Sequence, residues 1–147
     1  MGAGGVLGFD VGSRRIGVAV GNAITGTASE VGLIEVHDGV PDWAQFERLL
    51  KEWAPTQLVV GDPLGFDGHD PDPPVRQRAR GFARAAARRS GLPVAMVDER
   101  RSSVEAAARF AGQRRAGLRR RRDAATLDAL AAVVIVERWL AGEADSS

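Results

Sequence analysis

The chain reads as a mixed α/β domain, an antiparallel meander of strands followed by strands that alternate with helices, the sheet covered by helices. Three observations predict this. Short apolar runs bounded by glycine fill the opening stretch. Helical spacing sets in near Pro41 and then alternates with further short apolar runs. No internal repeat or linker divides the 147 residues, so one domain is expected.

The elements follow in order. Val6 to Val11 is predicted as a strand and Ile16 to Val20 as a second, with Gly12 and Ser13 beginning the turn between them. So short a connection implies an antiparallel hairpin. Val31 to Val36 adds a third strand. Within Pro41 to Trp53, Trp43, Phe46, Leu50 and Trp53 fall at i, i+3, i+7 and i+10, one helix face, and both tryptophans read as core. Leu58 to Val60 is a short buried strand, and Asp62 to Pro74 is a loop by its Pro, Gly and Asp content. A helix from about Val75 to Arg89 is closed by Ser90-Gly91, and Pro93 to Val97 is the fifth strand. Ser102-Ser103-Val104-Glu105 is a capping box that opens a helix near Val104 to Phe110. Gly112 to Arg122 is rich in Gly and Arg and reads as a mobile segment. Asp123 caps a final helix running to about Ala141, with Leu127, Leu130, Val134 and Trp139 on its apolar side. The last six residues are expected to fray.

Composition narrows the function classes. With 44% hydrophobic and 27% charged residues the chain can bury a core, which excludes a disordered protein. It has no cysteine, which excludes disulfides and thiolate metal sites. The longest apolar run, near residues 129 to 136, is too short to span a bilayer, and the N-terminus lacks a signal-peptide core. A cytoplasmic protein with no membrane partner is expected. The net charge of +1 hides an asymmetry: Arg76 to Arg122 holds 15 Arg and three acids, and the other 100 residues hold five bases and 16 acids. A basic half beside an acidic half points to an anionic partner, nucleic acid first. Of the 20 bases 19 are Arg, which can grip a phosphate with two parallel donors. A GC-rich genome would give the same bias, though not its clustering.

Three acids stand where chemistry could use them. Asp10 ends the run Gly8-Phe9-Asp10 on a predicted strand, where a carboxylate is disfavoured unless a metal or cation meets it; the alternative is a turn-capping role before Gly12. Asp98-Glu99-Arg100 follows the fifth strand, at the end where open α/β sheets receive ligands. Alternation sends only one of Asp98 and Glu99 toward a given face, and a solvated charge cluster is the alternative. Asp128 sits among Leu127, Ala129 and Leu130 on the last helix, near its core-facing side, or else as a helix-start acid favoured by the macrodipole. Asp123 lies about 140° away around that helix and is better explained as its N-cap. Three convergent carboxylates without a His or Cys cluster form a hard oxygen ligand set suited to Mg²⁺ or Mn²⁺. His37 and His69 read as solvated turn residues, and neither a nucleophile elbow nor a Walker loop is present.

The run Gly8-Phe9-Asp10-Val11-Gly12-Ser13-Arg14-Arg15-Ile16-Gly17-Val18-Ala19 resembles the opening of the YqgF/RuvX family. These are RNase H-like proteins named as Holliday junction resolvases and associated with maturation of pre-16S ribosomal RNA. Further matches are Gly61-Asp62-Pro63-Leu64 with Asp67-Gly68, Asp98-Glu99-Arg100 with Ser102-Ser103-Val104-Glu105-Ala106, and Asp128 with Ala131-Ala132, Ile135 and Glu137. The matches run in order from about Val6 to Leu140. The chain departs from the family pattern at Asp62, where an apolar residue is common, at Arg101, where Leu is common, and in a Pro-rich loop after Gly68. The resemblance implies an RNase H-like fold with a five-stranded mixed sheet, and Asp10, Glu99 and Asp128 as the metal-binding, catalytic acids.

The expected function is a metal-dependent nuclease acting on structured RNA in ribosomal RNA processing, with one or two Mg²⁺ or Mn²⁺. Arg14, Arg100, Arg114, Arg115, Arg119, Arg120, Arg121 and Arg122 are the expected phosphate contacts. Few exposed aromatics are evident, which argues against sequence reading by base stacking. A monomer is expected. The alternatives are a resolvase of four-way DNA junctions, which needs a symmetric dimer, and a non-catalytic RNA-binding assembly factor. An ATP-using kinase or chaperone fragment, suggested by the Asp10, Gly12 and Gly17 spacing, needs a second domain for which the chain has no room.

Overall fold

Gly5–Val11 (β1) and Arg15–Asn22 (β2) form the antiparallel hairpin, with Val11 opposite Ile16 and Gly5 opposite Asn22. Its turn needs glycine. The Gly12 N–H donates to the Arg15 carbonyl at 3.0 Å, and a Cβ at Gly12 would sit 2.7 Å from that oxygen. The computed structural model describes residues 5–62, 73–98 and 124–142.

Thr27–His37 (β3) pairs antiparallel with β2 and starts earlier than its apolar run implied. The half of β3 that faces water carries polar residues such as Thr27 and Ser29, which mute the apolar signal. Val18 lies opposite Gly32 and Ala19 opposite Glu30, so Val31 is the extra residue of a bulge. Among the described residues the sheet has six strands rather than five. Asp38 and Gly39 both have positive φ, 53° and 79°, the geometry of a tight Asp-Gly hairpin turn. That turn folds Val40–Pro41 (β4) back against Val36 and His37. His37 ends β3 exposed, with Nε2 3.3 Å from Glu35 Oε1.

Trp43–Trp53 (α1) is capped by Asp42, whose side chain accepts from the Ala44 and Gln45 N–H groups at 3.1 and 3.2 Å. Gln45 in turn accepts from the Glu35 N–H at 2.9 Å, which ties α1 to β3. Gln57–Asp62 (β5) runs parallel to β1, and Val94–Asp98 (β6) runs parallel to β5. Asp62, read as the start of a loop, is the last residue of β5 and pairs with Asp98. Pro73–Ser90 (α2) also starts earlier than its apolar spacing suggested. Proline is well placed in a first helical turn, where its missing N–H has no partner to lose. Ala124–Leu140 (α3) is the last helix. The strand order is β4-β3-β2-β1-β5-β6, with β1 central. The expected Val104 to Phe110 helix, the Gly112 to Arg122 segment and the Asp123 cap lie outside the described residues.

Helices cover both faces, as expected. On one face Leu7, Phe9, Ile16, Val18, Leu58 and Val60 meet α1 and α2. Phe9, Phe46 and Phe82 interlock there with ring centroids 5.2 to 6.0 Å apart, and Trp43 stacks on Phe82 at 5.4 Å. Trp43 and Trp53 both pack on this core. On the other face Val6, Ala19, Val59 and Val97 meet α3. The apolar side expected of α3 proves wider, because every residue from Ala129 to Val136 is buried.

Glycine sets the depth of α3. A Cβ at Gly8 would overlap Val136, and one at Gly21 would overlap Val136 and come within 3.2 Å of Leu140. Gly8→Ala is therefore expected to cost about 1–3 kcal/mol by overpacking. Val136→Ala, which trims the clashing branch, should recover part of that loss, so that the double variant is more stable than the two single costs imply. Chemical denaturation of the four proteins checks this. Strict additivity would show that Val136 is not what Gly8 accommodates.

Candidate active site

The three parallel strands β1, β5 and β6 end at nearly the same level. Phe9 pairs with Val60, and Asp62 pairs with Asp98. This shared edge is where ligands reach an open α/β sheet. Asp10 stands on it. Alternation from Val6, which packs under α3, places Asp10 on the α3 face of the sheet, and it is half-buried.

The floor around Asp10 is made of glycine. Its partner on β2 is Gly17. The next step of the β1–β5 register beyond Phe9 and Val60 brings Gly61 level with it, and Gly8 precedes it on the same face. None of these three carries a side chain, so the sheet beside Asp10 is bare backbone at those positions.

The direction of α3 follows from its contacts. Leu140 lies over Gly21, Val136 over Gly21 and Gly8, and the Ala132 carbonyl comes near Gly8. Gly21 pairs with Val6, so the helix runs against β1, with its N-terminal half directed toward the Asp10 end. Asp128 is one turn before Ala132, a rise of about 6 Å. Gly8 to Asp10 is a strand rise of about 7 Å. The backbone thus carries residue 128 of α3 toward the same end of β1 as Asp10.

Glu99 follows Asp98 directly and lies outside the described residues, as do Arg100, Arg114, Arg115 and Arg119 to Arg122. Arg14 is exposed in the β1–β2 turn beyond Asp10, where its carbonyl accepts from the Val36 N–H at 2.9 Å. His69 is also outside the described residues.

Asp62 is the acid that sequence reading placed least well. Its level matches Asp98, but it faces α2, on the side of the sheet opposite Asp10. Its carboxylate lies 3.5 Å from Arg76 Nε and 3.7 Å from an Arg80 nitrogen. An acid at the end of an apolar strand, followed on the next helix by two Arg four residues apart, was the available signal. Asp62 anchors α2 and faces away from Asp10.

A family model described as RuvX, Holliday junction resolvase, matches residues 4–142. The chain belongs to the RuvX family. It is 62% identical over 135 residues to a protein of Xanthomonas campestris pv. campestris (strain 8004) named "Putative pre-16S rRNA nuclease", covering 92% of this chain and 86% of that one. A Xylella fastidiosa (strain M23) protein of the same name is 59% identical over 136 residues, with the same shares covered. Among solved structures this RuvX chain is similar to Thermus thermophilus RuvC. One RuvC structure has a TM-score of 0.54 at 20% identity, covering 96% of this chain and 98% of the other. A second, in complex with a Holliday junction substrate, has a TM-score of 0.54 at 19% identity and covers 94% of both chains. At that identity the likeness shows the fold, which is the RNase H-like one the sequence resemblance implied.

The Asp62 cluster carries a prediction. The Asp62 side chain is 14% exposed and that of Arg76 22%. Asp62→Asn is expected to destabilise by about 1–2 kcal/mol, since it leaves a poorly hydrated guanidinium with a neutral partner. Arg80→Gln should cost less, because that side chain is 50% exposed. Urea midpoints give both values, and an unmoved midpoint for Asp62→Asn would show that the contact contributes nothing.

Proposed function

We propose that this RuvX chain is a metal-dependent nuclease that hydrolyses phosphodiester bonds of structured RNA, with 5′ maturation of pre-16S ribosomal RNA in the cytoplasm as its task. One observation carries the reading. Asp10 stands half-buried on a glycine floor at the end of the central strand, with the N-terminal half of α3, and so residue 128, directed to the same end. The names of the relatives support the substrate.

The donor chemistry fits a hard divalent cation. Asp10, Glu99 and Asp128 would hold Mg²⁺ or Mn²⁺ through carboxylate oxygens, and no His or Cys competes for a softer metal. Glu99 is next but one in sequence after Val97, which packs on the α3 face. The bound metal would supply an activated water and neutralise charge at the leaving 3′ oxygen. The rest falls to the protein. The glycine floor would let a phosphate approach the sheet closely, and Arg14, exposed at the adjoining turn, would hold a neighbouring phosphate. Arg100, Arg114, Arg115 and Arg119 to Arg122 would extend that hold along the strand.

A second reading, resolution of four-way DNA junctions, is favoured by the description of the matching family model. It would use the same acids and require two copies for two matched cuts, whereas the RNA reading needs only a monomer. Purified protein offered pre-16S RNA and a four-way DNA junction with Mg²⁺ or Mn²⁺, beside sedimentation, separates the two. No helix among the described residues is long and apolar enough to cross a membrane.

Asp10→Asn, Glu99→Gln and Asp128→Asn are each expected to lower cleavage about 100-fold or more while the fold survives, because three converging carboxylates act as one ligand set. Mg²⁺ should raise the melting temperature of the wild-type protein and of none of the three variants. Loss of cleavage in Asp123→Asn with retention in Asp128→Asn would reassign the helix ligand.

The basic segment should supply affinity rather than chemistry. Each phosphate contact contributes roughly 0.7 to 0.9 to the slope of log affinity against log salt. Replacing Arg119 to Arg122 with Ala should flatten that slope by about two to three units, with turnover at saturating substrate little changed. Binding of RNA across a salt series measures it, and an unchanged slope would move the phosphate contacts elsewhere.

A further inference from the structure

On the face of the sheet opposite Asp10, at the same end, lies a groove of about 300 Å³, at the lower end of the range of small-ligand sites. Val11, Ile16 and Val36 form its floor, Trp43 and Phe82 one side, and Gly81 the wall given by α2. The wall is low because Gly81 has no side chain. A Cβ there would meet nothing within 4 Å.

The rim is basic. α2 carries Arg76, Arg78, Arg80, Arg84, Arg88 and Arg89 and no acid. Asp62 engages Arg76 and Arg80, and Glu47 engages Arg89, which also lies 4.4 Å over the Trp43 ring. Arg78, at the groove, meets no carboxylate among the described residues, nor do the exposed Arg84 and Arg88. Gln77, Gly81, Arg84 and Arg88 recur at i, i+4, i+7 and i+11, so the low wall and two of these arginines share one stripe of the helix. An apolar slot with Arg78 on its lip, a guanidinium that meets no carboxylate among the described residues, suits a flat apolar body that carries an anion.

Gly12 also lines the groove, two residues from Asp10, a chain distance of about 7 Å. A strand passing over the end of β1 would therefore reach both faces within about one nucleotide step. We propose that the groove receives the base of a single unpaired nucleotide next to the cleaved phosphate, with Arg78 on that nucleotide's phosphate. The inference rests on the nuclease reading and narrows its substrate to RNA with an unpaired residue at the cut. It differs from stacking on an exposed aromatic, because Phe46, Phe82 and Arg89 already pack against the Trp43 ring. The base packs instead against aliphatic floor and backbone wall.

The test fills the groove from its open wall. Gly81→Leu should fold at least as stably as the wild type, since leucine is the better helix former and the space is empty. It should bind an RNA hairpin with one bulged nucleotide about tenfold or more weakly, and a fully paired hairpin of equal length almost as before. Arg78→Gln should weaken adenosine 5′-monophosphate, read by Trp fluorescence, and leave adenosine unaffected. Equal binding of both hairpins by Gly81→Leu and wild type would overturn the proposal, and so would an equal loss on both, which would mark a plain phosphate surface. If the wild type neither binds nor cleaves RNA, the nuclease reading fails by itself. The groove is then decided by adenosine 5′-monophosphate alone, with saturable quenching that Gly81→Leu abolishes sustaining it and no quenching overturning it.

Discussion

The close seat of α3 on β1 and β2 is the contact on which the rest of the site depends. Val136 occupies space that any side chain at Gly8 or Gly21 would fill, so the helix lies nearly on the backbone of the two strands. A helix that close has little freedom to tilt or slide, because packed interiors resist small shifts. The same residue type serves two ends in one hairpin: Gly8 admits the helix, while Gly17, opposite Asp10, adds no side chain beside it. Rigidity and access thus come from one sequence feature read at successive positions.

The sheet also divides labour. Asp10 lies on the α3 side, and the arginines of α2 lie on the other. Keeping them apart matters electrostatically, since under the proposed function a guanidinium beside Asp10 would compete with the metal for the same oxygens. Asp62 enforces the separation by holding Arg76 and Arg80 on the far face. Under the proposed function, a polyanion crossing the strand ends would meet the α2 arginines on one side of the sheet and its reacting point on the other.

Much of this was legible in the sequence, for identifiable reasons. The β1–β2 hairpin and the buried β5 are short apolar runs with glycine at their borders, and α1 repeats large apolar residues on one face, so period and punctuation agreed. β4 was missed because two residues carry no period, though Asp38-Gly39 was a turn signal. Asp62 was misplaced because it borders a Pro-rich stretch, and composition there outweighed the strand pairing that only β6 could reveal. Asp10 could be singled out since an acid at the end of an apolar strand is locally costly. What no local pattern could give was the direction of α3 across β1, which depends on residues more than a hundred positions apart. The groove at Gly81 was hidden likewise, being assembled from β1, β2, β3, β4, α1 and α2.

The outer edge of β3 has its own consequence. Exposed strand edges invite pairing with other chains. Here the bulge at Val31 breaks the regular spacing of donors and acceptors, Gln45 takes the Glu35 N–H, and β4 is only two residues long with Pro41 lacking an N–H to offer. A newly made copy that meets another in a crowded cell finds no continuous ladder on this side to extend. That protects the fold against edge-to-edge aggregation with devices that cost it no part of the core.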